Sequence, residues 1–237
     1  MKIFAHRGYS RNYPENTMVA FKAAEQVGAD GIELDVHLTK DHQIVVIHDE
    51  TINRTSNGSG KIKDMTVKEL KSFTYDYRFT GFNTSISTLD EVFEWLKENQ
   101  LMCNVELKNN LYEYKGLEEK VIELIKDYSF DRRIVLSSFN HHSLLKCKEI
   151  NNSIECAALY SDKLVHPERY IESIKVEGIH PPIKYVTDEL IVDCKKMNVP
   201  IRPYTVNNME TIERLAQLGC TAVFTDVPEE ARKKMKN

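Results

Sequence analysis

GIELDVH, residues 31–37, alternates apolar Ile32, Leu34 and Val36 with polar Glu33, Asp35 and His37. A two-residue period is that of a β-strand, and short β-rich runs recur along the rest of the chain. They are KIFAH at 2–6, LMCNVEL at 101–107, RIVLSS at 133–138, IECAALY at 154–160, EGIHP at 177–181, PIRPYT at 200–205 and TAVFT at 221–225. Stretches of helical period fill the gaps, among them 15–27, 88–99, 116–128, 186–197 and 207–218. Eight strands, each followed by a helical or partly helical segment, read as an α/β chain closed into a (β/α)8 TIM barrel. A doubly wound open sheet is the rival. It usually has fewer units, and no G-x-G-x-x-G follows the first strand.

Two places depart from the plain alternation. Residues 38–49 (LTKDHQIVVIHD) look like a hairpin return from the second strand, with Lys40-Asp41-His42 near the turn. Residues 50–87 form a polar insertion with Asn57-Gly58 and Gly60, then a short helical piece at 66–73. An insertion after the second strand lies on the C-terminal rim, where barrels of this kind keep their active sites. Its apolar residues Ile62, Met65, Val67, Leu70 and Phe73 are expected to pack it down onto the barrel, leaving a polar lid. With no internal repeat or linker, 1–237 is expected to be one barrel domain carrying a small rim insertion.

The 237 residues, 41% apolar and 29% charged, suffice for one such barrel with an ordinary core. The net charge of -4 and the lack of a basic face argue against nucleic acid as a partner. The strongest basic cluster, Lys233-Lys234-Met235-Lys236, suits the negative end of a last helix. Five scattered cysteines, with no Cys-x-x-Cys among them, fit reduced thiols in the cytosol. Met1 and Lys2 lead straight into a strand-like stretch, and no apolar run approaches transmembrane length. A cytoplasmic address without stable membrane association is therefore expected.

Glu33 and Asp35 project from one side of their strand. Adjacent carboxylates repel, and burial raises their cost, unless a cation sits between them. Hard oxygen ligands of this kind suit magnesium or calcium. Asn104, Glu106 and Lys108 share one side of the next barrel strand, so Glu106 can give the same ion a third oxygen while Lys108 faces a phosphate. The bland alternatives are a solvated acidic strand end and a Glu–Lys surface pair. His6-Arg7-Gly8 ends the first strand with a proton carrier, a planar fork of donors, and a glycine able to turn sharply towards a ligand. If the hairpin turns near 41–42, His48 falls roughly opposite Asp35. His37 extends the Glu33/Asp35 side but is expected to reach solvent. His180 is a further candidate to face the site, whereas His42, His141, His142 and His166 read as exposed. Trp95, with Val92, Phe93 and Leu96, looks like the buried stripe of a helix.

Taken together these segments resemble the glycerophosphodiester phosphodiesterase family. The resemblance is carried by AHRG at 5–8, PENT at 14–17, IELDV at 32–36, VIHD at 46–49, RTSNG at 54–58, VELK at 105–108, SSF at 137–139 and TDVP at 225–228. It runs from residue 3 to about 230, with its specific motifs concentrated in the first half. It implies that Glu33, Asp35 and Glu106 ligate one divalent cation, Ca2+ or Mg2+. His6 and His48 would be the acid–base pair, His6 as base and His48 as acid or the reverse, and Arg7 and Lys108 would bind the phosphodiester. Glu15 and Asn16 would support the rim, Asn16 either capping its helix or hydrogen-bonding near the metal. Many members place Trp before T-V-N on the seventh strand. This chain has Tyr204 before Thr205-Val206-Asn207, which keeps an aromatic wall for the glycerol side and leaves the alcohol preference open.

The implied reaction is metal-dependent hydrolysis of a small glycerophosphodiester to glycerol 3-phosphate and an alcohol. Two other readings use the same fold. A barrel phospholipase acting on lysophospholipid or lipid diesters should show an apolar rim, and none is visible. A non-catalytic barrel that only binds a phosphate ester should lack a histidine or carboxylate of the set, and all five are present.

Overall fold

The computed structural model describes residues 1–76, 78–79 and 81–236. Strand β1 (Lys2–Ala5) is followed by helix α1 (Met18–Gln26), and β2 (Gly31–Leu38) by its hairpin return β3 (Ile44–Val46). The rim insertion carries a short helix, α2 (Val67–Leu70), and ends in β4 (Ser87–Thr88), which leads into α3 (Leu89–Leu96). Then come β5 (Met102–Leu107), α4 (Leu117–Asp127), β6 (Ile134–Ser138), α5 (His141–Ile150), β7 (Glu155–Leu159) and α6 (Pro167–Ser173). The chain closes with β8 (Gly178–His180), α7 (Asp188–Lys196), α8 (Met209–Leu218), β9 (Ala222–Thr225) and α9 (Pro228–Lys236). Helix starts follow the local chemistry. Thr17 caps α1, Thr88 and Glu91 form a reciprocal capping box at α3, and Asn208 caps α8.

Parallel pairing runs β9–β1–β2–β5–β6–β7–β8. Residues 200–206 bring the two ends of this path together. The Ile179 N–H donates to the Pro200 carbonyl (2.9 Å) and the Arg202 N–H to Ile179 (3.0 Å) on one side. On the other, the Phe224 N–H donates to Pro203 (3.0 Å) and the Val206 N–H to Phe224 (2.8 Å). The strand expected at 200–205 survives only as isolated bridges at Ile201 and Tyr204. The reason is in the sequence: Pro200 and Pro203 have no N–H to give to a ladder. The fold is a (β/α)8 TIM barrel with a loosely laddered seventh position.

The two-residue period decides where each strand residue goes. Ile32, Leu34 and Val36, with Cys103, Val105 and Leu107, join Phe21, Phe93, Trp95 and Val121 in the layer between strands and helices. Inside the barrel, Phe4, Ala222 and Phe224 form a small apolar cluster. β3 divides two cores: Val46 belongs to the main layer, while Val45 and Ile47 belong to a second core with Ile52, Ile62, Leu70, Tyr75 and Ile86. Met65, Val67 and Phe73 pack against that second core. The insertion's apolar set thus buries itself in a core of its own and not against the barrel wall. Among the described residues no large hydrophobic of the insertion is exposed, and no helix is long and apolar enough to cross a membrane.

Candidate active site

The parallel register of β2 and β5 sets Glu33 beside Asn104 and Asp35 beside Glu106. Glu33, Asp35 and Glu106 are buried, and their carboxylate oxygens lie within 4.8 Å of one another. Two neighbours hold them in place. The Arg7 N–H, presented by a positive φ of 56° at that residue, donates to Glu33 Oε2 at 2.8 Å. Asn16 Nδ2 donates to Asp35 Oδ2 at 2.8 Å, and Asn16 Oδ1 accepts from the Asp35 N–H at 3.3 Å. Asn16 therefore serves the acidic cluster, and the helix cap is Thr17.

Burial, then the charge of Asp35, pushes Glu33 and Glu106 above the ordinary carboxylate range. Burial pushes Asp35 the same way, but the charges of Arg7 and Lys108 and the Asn16 hydrogen bond outweigh it and hold Asp35 low. Two carboxyls of the three are thus driven towards protonation, by burial first and by the charge of Asp35 second. Asp35 Oδ1 and Asn104 Oδ1 are buried oxygens without a hydrogen-bond partner among the described residues. An all-oxygen set of this kind, crowded and partly unsatisfied, fits a hard divalent cation.

His6 and His48 stand on either side of this cluster. The hairpin register pairs Val36 with Val46, and the Ile47 N–H donates to the Asp35 carbonyl at 3.0 Å. Ile47, not His48, is therefore Asp35's partner across the hairpin, and His48 lies one residue further along. His48 Nδ1 meets Asp49 Oδ1 at 2.6 Å, and its Nε2 meets Lys108 Nζ at 3.2 Å. A carboxylate only accepts and an ammonium only donates, so the proton of His48 sits on Nδ1 and its lone pair on Nε2. Lys108 keeps its ammonium: burial lowers its pKa, but Glu106 (2.9 Å) and Asp35 raise it more. His6 Nδ1 pairs with Asp226 Oδ1 at 2.8 Å. Burial would raise the Asp226 pKa, but His6, Asn207 and Ser10 bring it down to about 2.

Arginines tie the rim to the cluster. Glu15 accepts from Arg7 (3.0 Å) and from both terminal nitrogens of Arg54 (2.7 and 2.8 Å), and Arg54 also grips Asp49. Arg7 Nε lies 3.5 Å from Asp35. Tyr204 donates its hydroxyl to the Tyr160 carbonyl at 2.8 Å and meets Phe139 edge to face. Gly8, at φ 78°, makes its close approach to helix α1, where a Cβ would meet Ala20 at 2.7 Å, and not to a ligand position. His37 does not reach solvent: the hairpin buries it fully, with Nδ1 on the Tyr114 hydroxyl and Nε2 on the His48 carbonyl, both 3.1 Å. Burial pushes its pKa down to about 4, so as a neutral ring it steadies the backbone of His48. His141 is half-buried against Tyr170 and the Leu159 carbonyl, unlike the exposed His42, His142 and His166.

Two cavities meet at His6 and Arg7. The inner one, about 80 Å³, is lined by His6, Arg7, Glu33, His48, Asn104 and Glu106 on its polar side. Phe139, Leu159, His180, Tyr204 and Phe224 line the rest. The outer cleft, about 360 Å³, runs under the rim insertion from the same two residues.

The family model described as the glycerophosphoryl diester phosphodiesterase family matches residues 6–230. The chain belongs to this family. It is 45% identical over 244 residues to a glycerophosphodiester phosphodiesterase of Bacillus altitudinis, covering 99% of both chains. It is 43% identical over 231 residues to that of Caldanaerobacter subterraneus subsp. tengcongensis, covering 96% of this chain and 94% of that one. Among solved structures, an Oleispira antarctica phosphodiesterase in complex with the product sn-glycerol-3-phosphate matches at TM-score 0.89 and 27% identity, over 100% of this chain and 97% of that one. Members of the family bind a divalent metal, and the acidic cluster here can hold one.

Three residues of the candidate site carry no role in the sequence reading. Asp226 and Arg54 stand inside quoted motifs, TDVP and RTSNG, and Asp49 follows His48. A polar residue just past the last strand, which lies beside the first, is the available signal for Asp226.

Proposed function

We propose that this chain hydrolyses small glycerophosphodiesters to glycerol 3-phosphate and an alcohol in the inner cavity. One observation carries this reading: a single small pocket gathers His6, Arg7, Glu33, His48 and Glu106 against the ring of Tyr204. The sn-glycerol-3-phosphate complex of the Oleispira antarctica relative supports the product. A divalent cation, Mg2+ or Ca2+, held by Glu33, Asp35 and Glu106 would neutralise charge on the phosphoryl oxygens when bound. Arg7 and Lys108 add fixed positive charge and donors around the same oxygens. His48, its Nε2 lone pair released as Lys108 turns its ammonium to the phosphoryl oxygens, takes the proton of the nucleophile, and His6 protonates the leaving alkoxide. This favours the reverse of the first assignment, because His6 stands where the inner cavity opens into the cleft that receives the alcohol. Asp49 and Asp226 hold the two rings by Nδ1 and offset the charge each gains. Tyr204 and Phe139 wall the glycerol side. The barrel and its rim insertion act as one domain in this proposal, since Arg54 reaches from the insertion to grip Asp49 and Glu15 at the site. All five cysteines are free and buried, which goes with the reducing cytoplasm.

The test is release of glycerol 3-phosphate from glycerophosphocholine and glycerophosphoethanolamine, with EDTA and then with Mg2+ or Ca2+ added back. Activity should vanish with the chelator and return with the metal, and undiminished turnover in EDTA removes the cation. Comparable kcat/KM on lysophospholipid or phospholipid vesicles would remove the restriction to small diesters.

A further inference from the structure

The outer cleft is large for a simple alcohol, and its wall is cationic. Arg7, Arg11, Arg54 and Arg78 all line it. Two of them are committed: Glu15 holds Arg7 and Arg54, and Asp49 holds Arg54 again. Of the other acids on the wall, Asp226 is engaged by His6, Ser10 and Asn207. Arg11 and Arg78 are exposed and make no ion pair among the described residues. Only Asp76 is left to set against them, and its carboxylate already accepts the Asn83 N–H at 3.2 Å. Once the internal pairs are set aside, two guanidiniums face one carboxylate. Thr55, whose buried hydroxyl has no partner among the described residues, is part of the same wall.

Guanidinium forks match the paired oxygens of a carboxylate or a phosphate. A quaternary ammonium in the same place would meet two cations. The wall's two aromatic residues make no cage for it: Tyr75 is buried in the rim core with its hydroxyl on the Leu70 carbonyl, which leaves Phe79 as a single ring. We infer that the cleft is a subsite for an anionic leaving alcohol, one that carries a second phosphate or a carboxylate beyond the scissile diester. The inference rests on the proposed reaction, since it takes the inner cavity as the glycerol side and the cleft as the alcohol side.

Two matched substrate pairs test it. Glycerophosphoserine differs from glycerophosphoethanolamine by a carboxylate, and bis(glycerophospho)glycerol differs from glycerophosphoglycerol by a second phosphate. At low salt, kcat/KM should favour the more anionic member by about tenfold in at least one pair, the size two partly exposed charge contacts can supply. The pair that gains identifies the oxyanion. The advantage should shrink as salt screens it, and should fall towards one in the double variant Arg11→Gln/Arg78→Gln. Taking the ratio within each protein cancels any general loss of activity. Ratios near one in both pairs for the wild type overturn the inference, as does an advantage that survives the double substitution. Turnover of the less anionic members would in that case leave the proposed reaction standing. No turnover on any of the four would sink the reaction and this subsite with it.

Discussion

His6 and His48 are each tethered by Nδ1 to a carboxylate, and the two should fail in the same way. His6→Ala and His48→Ala are each expected to lower kcat by roughly 10²–10⁴-fold, with the double variant losing less than the product of the two. Near-wild-type turnover in either variant, measured on glycerophosphocholine, would take that histidine out of the mechanism. Asp226 adds a pH signature to this prediction. Its pKa falls from an ordinary 3.8 to about 2 in the fold. A depressed carboxylate contributes stability that is present above the unfolded value and lost as pH falls through the folded one. Urea unfolding between pH 5 and 2 should therefore weaken by on the order of 2 kcal/mol in the wild type that Asp226→Asn does not lose. Parallel acid limbs would show that Asp226 is not held as described. The carboxylate cluster was legible because its logic is local: Glu33 and Asp35 are two residues apart on one strand. Asp226 was not, because its role exists only where β9 runs beside β1, 220 positions along the chain from His6. His37 misled for a similar reason, since nothing in a polar position on a hairpin announces that Tyr114 will cover it.

The rim insertion belongs to the scale of elements. Its helical spacing from Met65 onward was readable, but its packing partner was not, because β3 sends alternate residues into two different cores. Leu70 is fully buried in the second one. Leu70→Ala should cost roughly 2–5 kcal/mol, and the division between cores predicts that the loss is local. Amide exchange should speed up across 50–86 while β1 and β5 keep their protection. Activity should fall with it, because Arg54 then no longer steadies Asp49 and Glu15. Loss of protection in the barrel strands to the same degree would show one cooperative core. The seventh strand teaches a different lesson. PIRPYT has a strand's composition, yet two prolines in four residues leave it bonded to both neighbours without a continuous ladder.

For the whole molecule, the eightfold alternation was legible because each unit repeats the same signal. The cavities were not, because their walls are drawn from residues as distant as His6 and Asp226. The inner cavity, about 80 Å³, is walled by the buried side chains of Glu33, Asn104, Glu106 and His180. The outer cleft, about 360 Å³, opens past the exposed Arg11 and Arg78. The two rooms share His6 and Arg7 in their walls, so the proposed reaction sets the scissile bond at their junction. On that proposal the alcohol in the cleft leaves once its bond is broken, and glycerol 3-phosphate in the inner cavity departs after it. Product inhibition records such a sequence: glycerol 3-phosphate, departing last, should compete with the diester, and the free alcohol should inhibit noncompetitively. The opposite pattern would mean that the alcohol is the second to depart, and that the two rooms have exchanged tenants.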